Sequence, residues 1–158
     1  MKIAQEYIVA AAKEYDIEIG VKENIENRAS YLMAFHGVTV LWLVDKIDML
    51  NCSEFLTGEL TIKSVANLCF VLLFLLTYTI SMYNTCVVFM IKDYNNFSFE
   101  EIPKKHLRKI YASEVIWNSY KTIVSEYKKL NTKKAHNLQN AIIFLLLYIL
   151  CMLICALF

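Results

Sequence analysis

Side chains able to do chemistry are few in this chain and scattered along it. His36, His106 and His136 fall in three different segments, and Cys151 and Cys155, four residues apart, have no histidine beside them. A metal centre needs several N, S or O ligands converging on one point, so no metal site is expected, and no cofactor. Three glycines in 158 residues leave nothing from which to build a glycine-rich phosphate cradle. No catalytic constellation is present, and enzyme activity is not expected.

What remains is polar chemistry in apolar surroundings. Thr77, Ser81, Asn84 and Thr85 recur at four- and three-residue steps, on one face of a helix. Such a stripe either hydrogen-bonds neighbouring helices or, when copies of it surround an axis, lines a pore. His36 is an ionisable group within a second apolar stretch, where such groups face a bundle interior. It joins the pore-lining candidates, with a structural histidine as the alternative. Glu23, Glu26 and Arg28 precede that stretch and could pair with one another or ring an entrance. Lys104, Lys105, Arg108 and Lys109 open a basic cluster that continues through Lys121, Lys128, Lys129, Lys133 and Lys134. Contact with anionic lipid is the ordinary role of such a cluster. The sharper alternative is a nucleotide or oligonucleotide site, with bases stacked on Tyr111, Trp117 or Tyr120.

The elements that must position these groups are set by one run. Between Lys63 and Lys92 lie 28 residues without a charge, more than the roughly 20 a helix needs to cross a bilayer core. The chain is 58% hydrophobic and 20% charged, which favours a membrane protein over a soluble domain. Few glycines and one proline predict long helices. The fold expected is all-α: a membrane protein with three transmembrane helices, an N-terminal amphipathic helix and a long cytosolic helix between the second and third spans.

In order, residues 1–28 read as a cytosolic amphipathic segment, with a helix over Met1 to Ile19 and Gly20 as its stop. The first span is 29–50, although only Ala29 to Val44 is free of charge; Ser30, Ala34 and Gly37 give it a small-residue side suited to close packing. An external loop (51–63), the second span (64–91), a basic cytosolic helical region (92–139) and the third span (140–158) follow. A capping box at Ser98 to Glu101, or Pro103, starts the cytosolic helix. Asn131-Thr132 marks a bend, or the helix runs straight on. Acids stand where a leader's apolar core would be, so no signal peptide is expected. Of the Lys and Arg, four fall in 1–29, two in 45–63 and ten in 92–139. The positive-inside rule then puts the N-terminus and the 92–139 segment in the cytosol and the C-terminus outside.

Glu26-Asn27-Arg28-Ala29-Ser30 entering a short glycine-bearing span, a hairpin, then Ile110-Tyr111, Asn118-Ser119-Tyr120 and Tyr127-Lys128-Lys129-Leu130 before a last span form a familiar layout. It resembles the small transmembrane effectors of bacterial nucleotide-signalled antiphage systems, of the Pycsar type, and the related Hailong effectors. Glu26, Arg28 and Ala29 match the acid, spacer and basic-Ala pattern of those families. The resemblance implies a homo-oligomeric pore in the bacterial inner membrane, expected as a tetramer. A nucleotide signal from a partner nucleotidyltransferase would gate it, and opening would depolarise or disrupt the membrane and abort infection. The chain departs from larger members in carrying no appended sensor domain. The alternatives are a non-conducting accessory subunit of another membrane complex and a holin-like lysis protein.

Overall fold

A computed structural model of the protein describes residues 2–46, 62–91 and 109–157. It is all-helical: α1 spans Lys2–Lys46, α2 spans Ile62–Met90 and α3 spans Lys109–Leu157, with no strand among the described residues. The loop expected over 51–63 lies almost wholly outside them. So do the proposed capping box at Ser98 to Glu101 and Pro103.

Helix α1 does not stop at Gly20. Mid-helix glycine costs only about 1 kcal/mol relative to alanine, and on either side of it α1 buries Ala11, Ile25 and Ala29. Packing outweighs the local stop signal. Helix α3 likewise runs through Asn131-Thr132 without ending. Thr132 returns its hydroxyl to the Lys128 carbonyl at 2.8 Å, while the Asn131 amide is used by α1. Residues 109–139 and the stretch expected as a third span are therefore one continuous helix across Asn140.

The chain divides into two compact units. The first comprises Met1–Glu26 and Ile91–Ala135, the second Asn27–Met90 and His136–Phe158. In the first, α1 and α3 run parallel: Tyr7 meets Trp117, Tyr15 meets Tyr127, Glu18 meets Asn131 and Glu26 meets Lys134. Ala11, Ile25, Val124 and Tyr127 form its apolar seam. In the second unit α2 runs antiparallel to α3, with Phe74 on Tyr148 and Ser81 on Ala141. Its core is Phe74, Tyr148 and Cys151, flanked by Tyr78, Leu145, Ile149 and Met152.

Among the described residues two helices are long and apolar enough to cross a membrane, α2 over Leu68–Met90 and α3 within Glu114–Ile154. Only 28% and 22% of their apolar windows are buried inside the chain, whereas a soluble protein's core helix would be covered on most sides. Leu72, Leu76, Leu146, Leu150 and Leu153 are each more than half exposed, an outward surface matched to lipid tails or to other apolar helices. Helix α1 is not one of the two. On the small-residue side of α1, Ser30, Ala34 and Gly37 are exposed among the described residues, and a Cβ at Gly37 would meet nothing within 4 Å.

Candidate functional site

The polar stripe of α2 and the histidine of α1 converge inside the second unit. A four-residue step turns a helix through about 400°, so Thr77, Ser81 and Thr85 stay on one side of α2. Phe74 and Val88 extend that side, and all five are buried. His36 is fully enclosed on α1, one turn before buried Thr39, and Tyr148 of α3 is enclosed between them.

Two classes of hydrogen bond satisfy these groups. The first stays within a helix. Thr77 donates to the Leu73 carbonyl at 2.9 Å, Thr85 to Ser81 at 2.9 Å, Asn84 to Ile80 at 2.8 Å and Thr39 to Phe35 at 3.0 Å. Such back-bonding lets a hydroxyl sit in apolar surroundings without calling on another helix. The second class crosses between helices. Ser81 donates to the Ala141 carbonyl at 2.7 Å, and Ser81 Oγ stands 3.3 Å from His36 Nε2. Tyr148 Oη lies 3.4 Å from His36 Nδ1 and 3.5 Å from Thr39 Oγ1, and Tyr78 donates to the His36 carbonyl at 3.4 Å. The Ser81–Ala141 bond is the shortest of these and the strongest polar tie between α2 and α3.

Rings enclose the imidazole. The Tyr78 centroid is 5.2 Å away at 88°, and that of Tyr148 is 5.8 Å away at 40°. Phe74 meets Tyr148 edge-on at 5.7 Å, an arrangement in which ring quadrupoles attract. Four of the five pore-lining candidates (His36, Thr77, Ser81 and Thr85) are thus buried within one chain. Asn84 sits half-buried at the flank. The interhelical reading of the stripe holds at Ser81, whereas Thr77, Asn84 and Thr85 bond only their own helix.

The first unit carries a different chemistry. The Lys134 side chain is 2% exposed and ion-paired with Glu26, which is 30% exposed. Asn131 Nδ2 donates to the Glu18 carbonyl at 2.8 Å and to Glu18 Oε2 at 2.9 Å. Lys128 and Glu14 form a looser, solvated pair at 4.0 Å. Burial holds the Tyr15 hydroxyl above its usual range, with the facing Tyr127 adding to the effect.

Glu26 pairs with α3, while Glu23 and Arg28 are exposed on α1. Lys134 is a buried structural cation and is not open to a lipid or phosphate. Trp117 is half-buried with its ring edge-on to Tyr7 at 5.6 Å, and Tyr120 meets Tyr15 at 6.2 Å, so both rings are engaged in the seam. Lys121 is exposed. Lys109 and Tyr111 lie in the first turn of α3, and Lys104, Lys105 and Arg108 fall outside the described residues. Of the six phosphate-binding candidates, Lys121 is the one whose side chain is described.

Thr39, Tyr78 and Tyr148 belong to the site but did not stand out in the sequence. Each is a single hydroxyl in an apolar run, with the size of a core residue. The signal lay in the hydroxyls themselves, because a buried tyrosine O–H has to find an acceptor. No protein-family model, curated protein or solved structure matches this chain.

Proposed function

We propose that the chain is a multi-pass membrane effector. In this reading α1 over 29–50, α2 and the second half of α3 are its three spans, with the N-terminus and the 92–139 segment in the bacterial cytosol and the C-terminus outside. Copies assemble around an axis into an ion-conducting pore that depolarises the inner membrane in antiphage defence. A nucleotide or oligonucleotide signal, made by a partner nucleotidyltransferase, acts on the charged unit to gate it.

One observation carries the pore reading: a helix face of hydroxyls sealed inside the second unit, with one short side-chain bond between α2 and α3 among the described residues. Thr77 and Thr85 are satisfied by their own helix, so turning α2 leaves them bonded. The main polar cost of opening is the Ser81–Ala141 bond, on the order of 1–3 kcal/mol when its acceptor is left dry. A ligand binding one arrangement more tightly by that amount would shift the gate. The parallel course of α1 and α3 in the first unit supports carrying both toward the same side of the membrane. Exposed Ser30, Ala34 and Gly37 leave α1 a close-approach surface for a neighbouring copy.

A second reading, a non-conducting accessory subunit, is favoured by the same hydroxyls being satisfied within the chain. Inducible expression with a potential-sensitive dye separates the two. Wild type should depolarise cells, and Thr77→Leu with Ser81→Leu should express equally and not conduct. Normal depolarisation by the double variant refutes the stripe as the lining. A wild-type monomer that leaves the potential intact supports the accessory role.

A further inference from the structure

The hydrogens around His36 can be counted. Ser81 has one hydroxyl hydrogen and gives it to the Ala141 carbonyl at 2.7 Å. Toward His36 Nε2, 3.3 Å away, Ser81 Oγ can then only accept, so Nε2 carries the ring hydrogen. In the neutral ring Nδ1 is bare and needs a donor. The one facing it is the Tyr148 hydroxyl, at 3.4 Å.

Tyr148 also has a single hydrogen, and a second acceptor stands beside it. Thr39 Oγ1 is 3.5 Å away and has given its own hydrogen to the Phe35 carbonyl at 3.0 Å. Tyr78 uses its hydrogen on the His36 carbonyl. In the neutral cluster two acceptors, His36 Nδ1 and Thr39 Oγ1, therefore compete for the single Tyr148 hydrogen. One added proton ends the competition. On Nδ1 that proton becomes a donor to Tyr148 Oη, and the Tyr148 hydrogen turns to Thr39 Oγ1, so every hydroxyl and both ring nitrogens are bonded.

We propose that the His36 ring, with Tyr148 and Thr39, is a proton-binding site in the core of the second unit, and that taking up a proton at Nδ1 turns the Tyr148 hydroxyl from His36 to Thr39. No covalent bond other than the new N–H forms, and none breaks. Among the described residues the groups facing the ring are Tyr78 and Ser81 from α2, Tyr148 from α3, and Thr39 one turn along α1, all uncharged. The added charge is met by the Tyr148 oxygen, 3.4 Å from Nδ1. The site stands whether or not the chain conducts.

The test is ¹⁵N NMR of the full chain labelled at histidine, in lipid bilayers, with the His36 signals assigned by their loss in His36→Gln. At about pH 8, where an unperturbed imidazole is neutral, Nε2 should carry the hydrogen and Nδ1 should be bare. Acidification should protonate Nδ1. Thr39→Val is the discriminating variant. It removes an acceptor used only by the protonated form, so it should keep the neutral tautomer and weaken proton affinity about tenfold, one hydrogen bond's worth. Ser81→Ala should release the tautomer to a mixture. The proposal is overturned by an Nδ1–H tautomer at about pH 8, by no titration down to about pH 4, or by Thr39→Val titrating as wild type.

Discussion

The Lys134–Glu26 pair lends itself to an asymmetric test. The lysine is 2% exposed and the carboxylate 30%, so the two partners are not equally dependent on each other. Glu26→Gln keeps an acceptor oxygen near Nζ but removes the paired carboxylate charge from an ammonium enclosed by α1 and α3. Stranding a buried charge costs about 3–5 kcal/mol, and the remaining amide oxygen trims this to about 3. Lys134→Met replaces the stem with apolar volume and leaves Glu26, which can turn to water, at a cost of about 1 kcal/mol. At roughly 2–4 °C per kcal/mol for a chain of this length, the melting midpoint should fall by about 10 °C for Glu26→Gln and about 3 °C for Lys134→Met. Trp117, edge-on to Tyr7 in the same unit, reports the transition by fluorescence in a Trp42→Phe background. The double variant should melt close to Lys134→Met, because no stranded cation remains. Equal losses for the two single variants, or a larger loss for Lys134→Met, would refute the buried-cation argument.

Other outcomes follow from the same geometry. Tyr15 holds its proton more tightly folded than unfolded, so its stabilising effect is intact below about pH 10 and is lost as pH rises through its folded value. Tyr15→Phe should therefore flatten the alkaline end of a stability–pH curve measured by the same fluorescence; an unchanged alkaline limb argues against the shift. Ser81→Ala removes the 2.7 Å tie to Ala141 and should raise basal depolarisation in the dye assay, opposite in sign to the Thr77→Leu, Ser81→Leu double variant. If both lower it alike, Ser81 does not hold the closed form. Lys121 is exposed on α3, and a cysteine placed there should resist a membrane-impermeant thiol reagent in sealed cells. Labelling from outside would invert the proposed topology.

The uncharged run between Lys63 and Lys92 made α2 legible, and the four-residue spacing of Thr77, Ser81 and Thr85 put them on one face before any coordinates. Both follow from local rules of length and periodicity, which a single sequence carries in full. Lys134 did not stand out because its identity depends on Glu26, 108 residues away in the chain. In isolation it is one more cation in a basic run, and such runs are ordinarily solvated. Gly20 misled for the converse reason: a local stop signal of about 1 kcal/mol is set against side-chain burial worth about 1.5–3 kcal/mol for each large apolar residue. Tyr148 combines both difficulties, since its ring size marks it as core while its hydroxyl matters only once α1 supplies His36 and Thr39. Polar groups in apolar helices are thus readable by position but not by partner. The partner decides whether a hydroxyl is a structural tie, as at Ser81, or is free to follow its own helix, as at Thr77 and Thr85. In the proposed pore, turning α2 would break the contacts that Tyr78 and Ser81 make with other helices among the described residues, and each of these is open to mutation one group at a time.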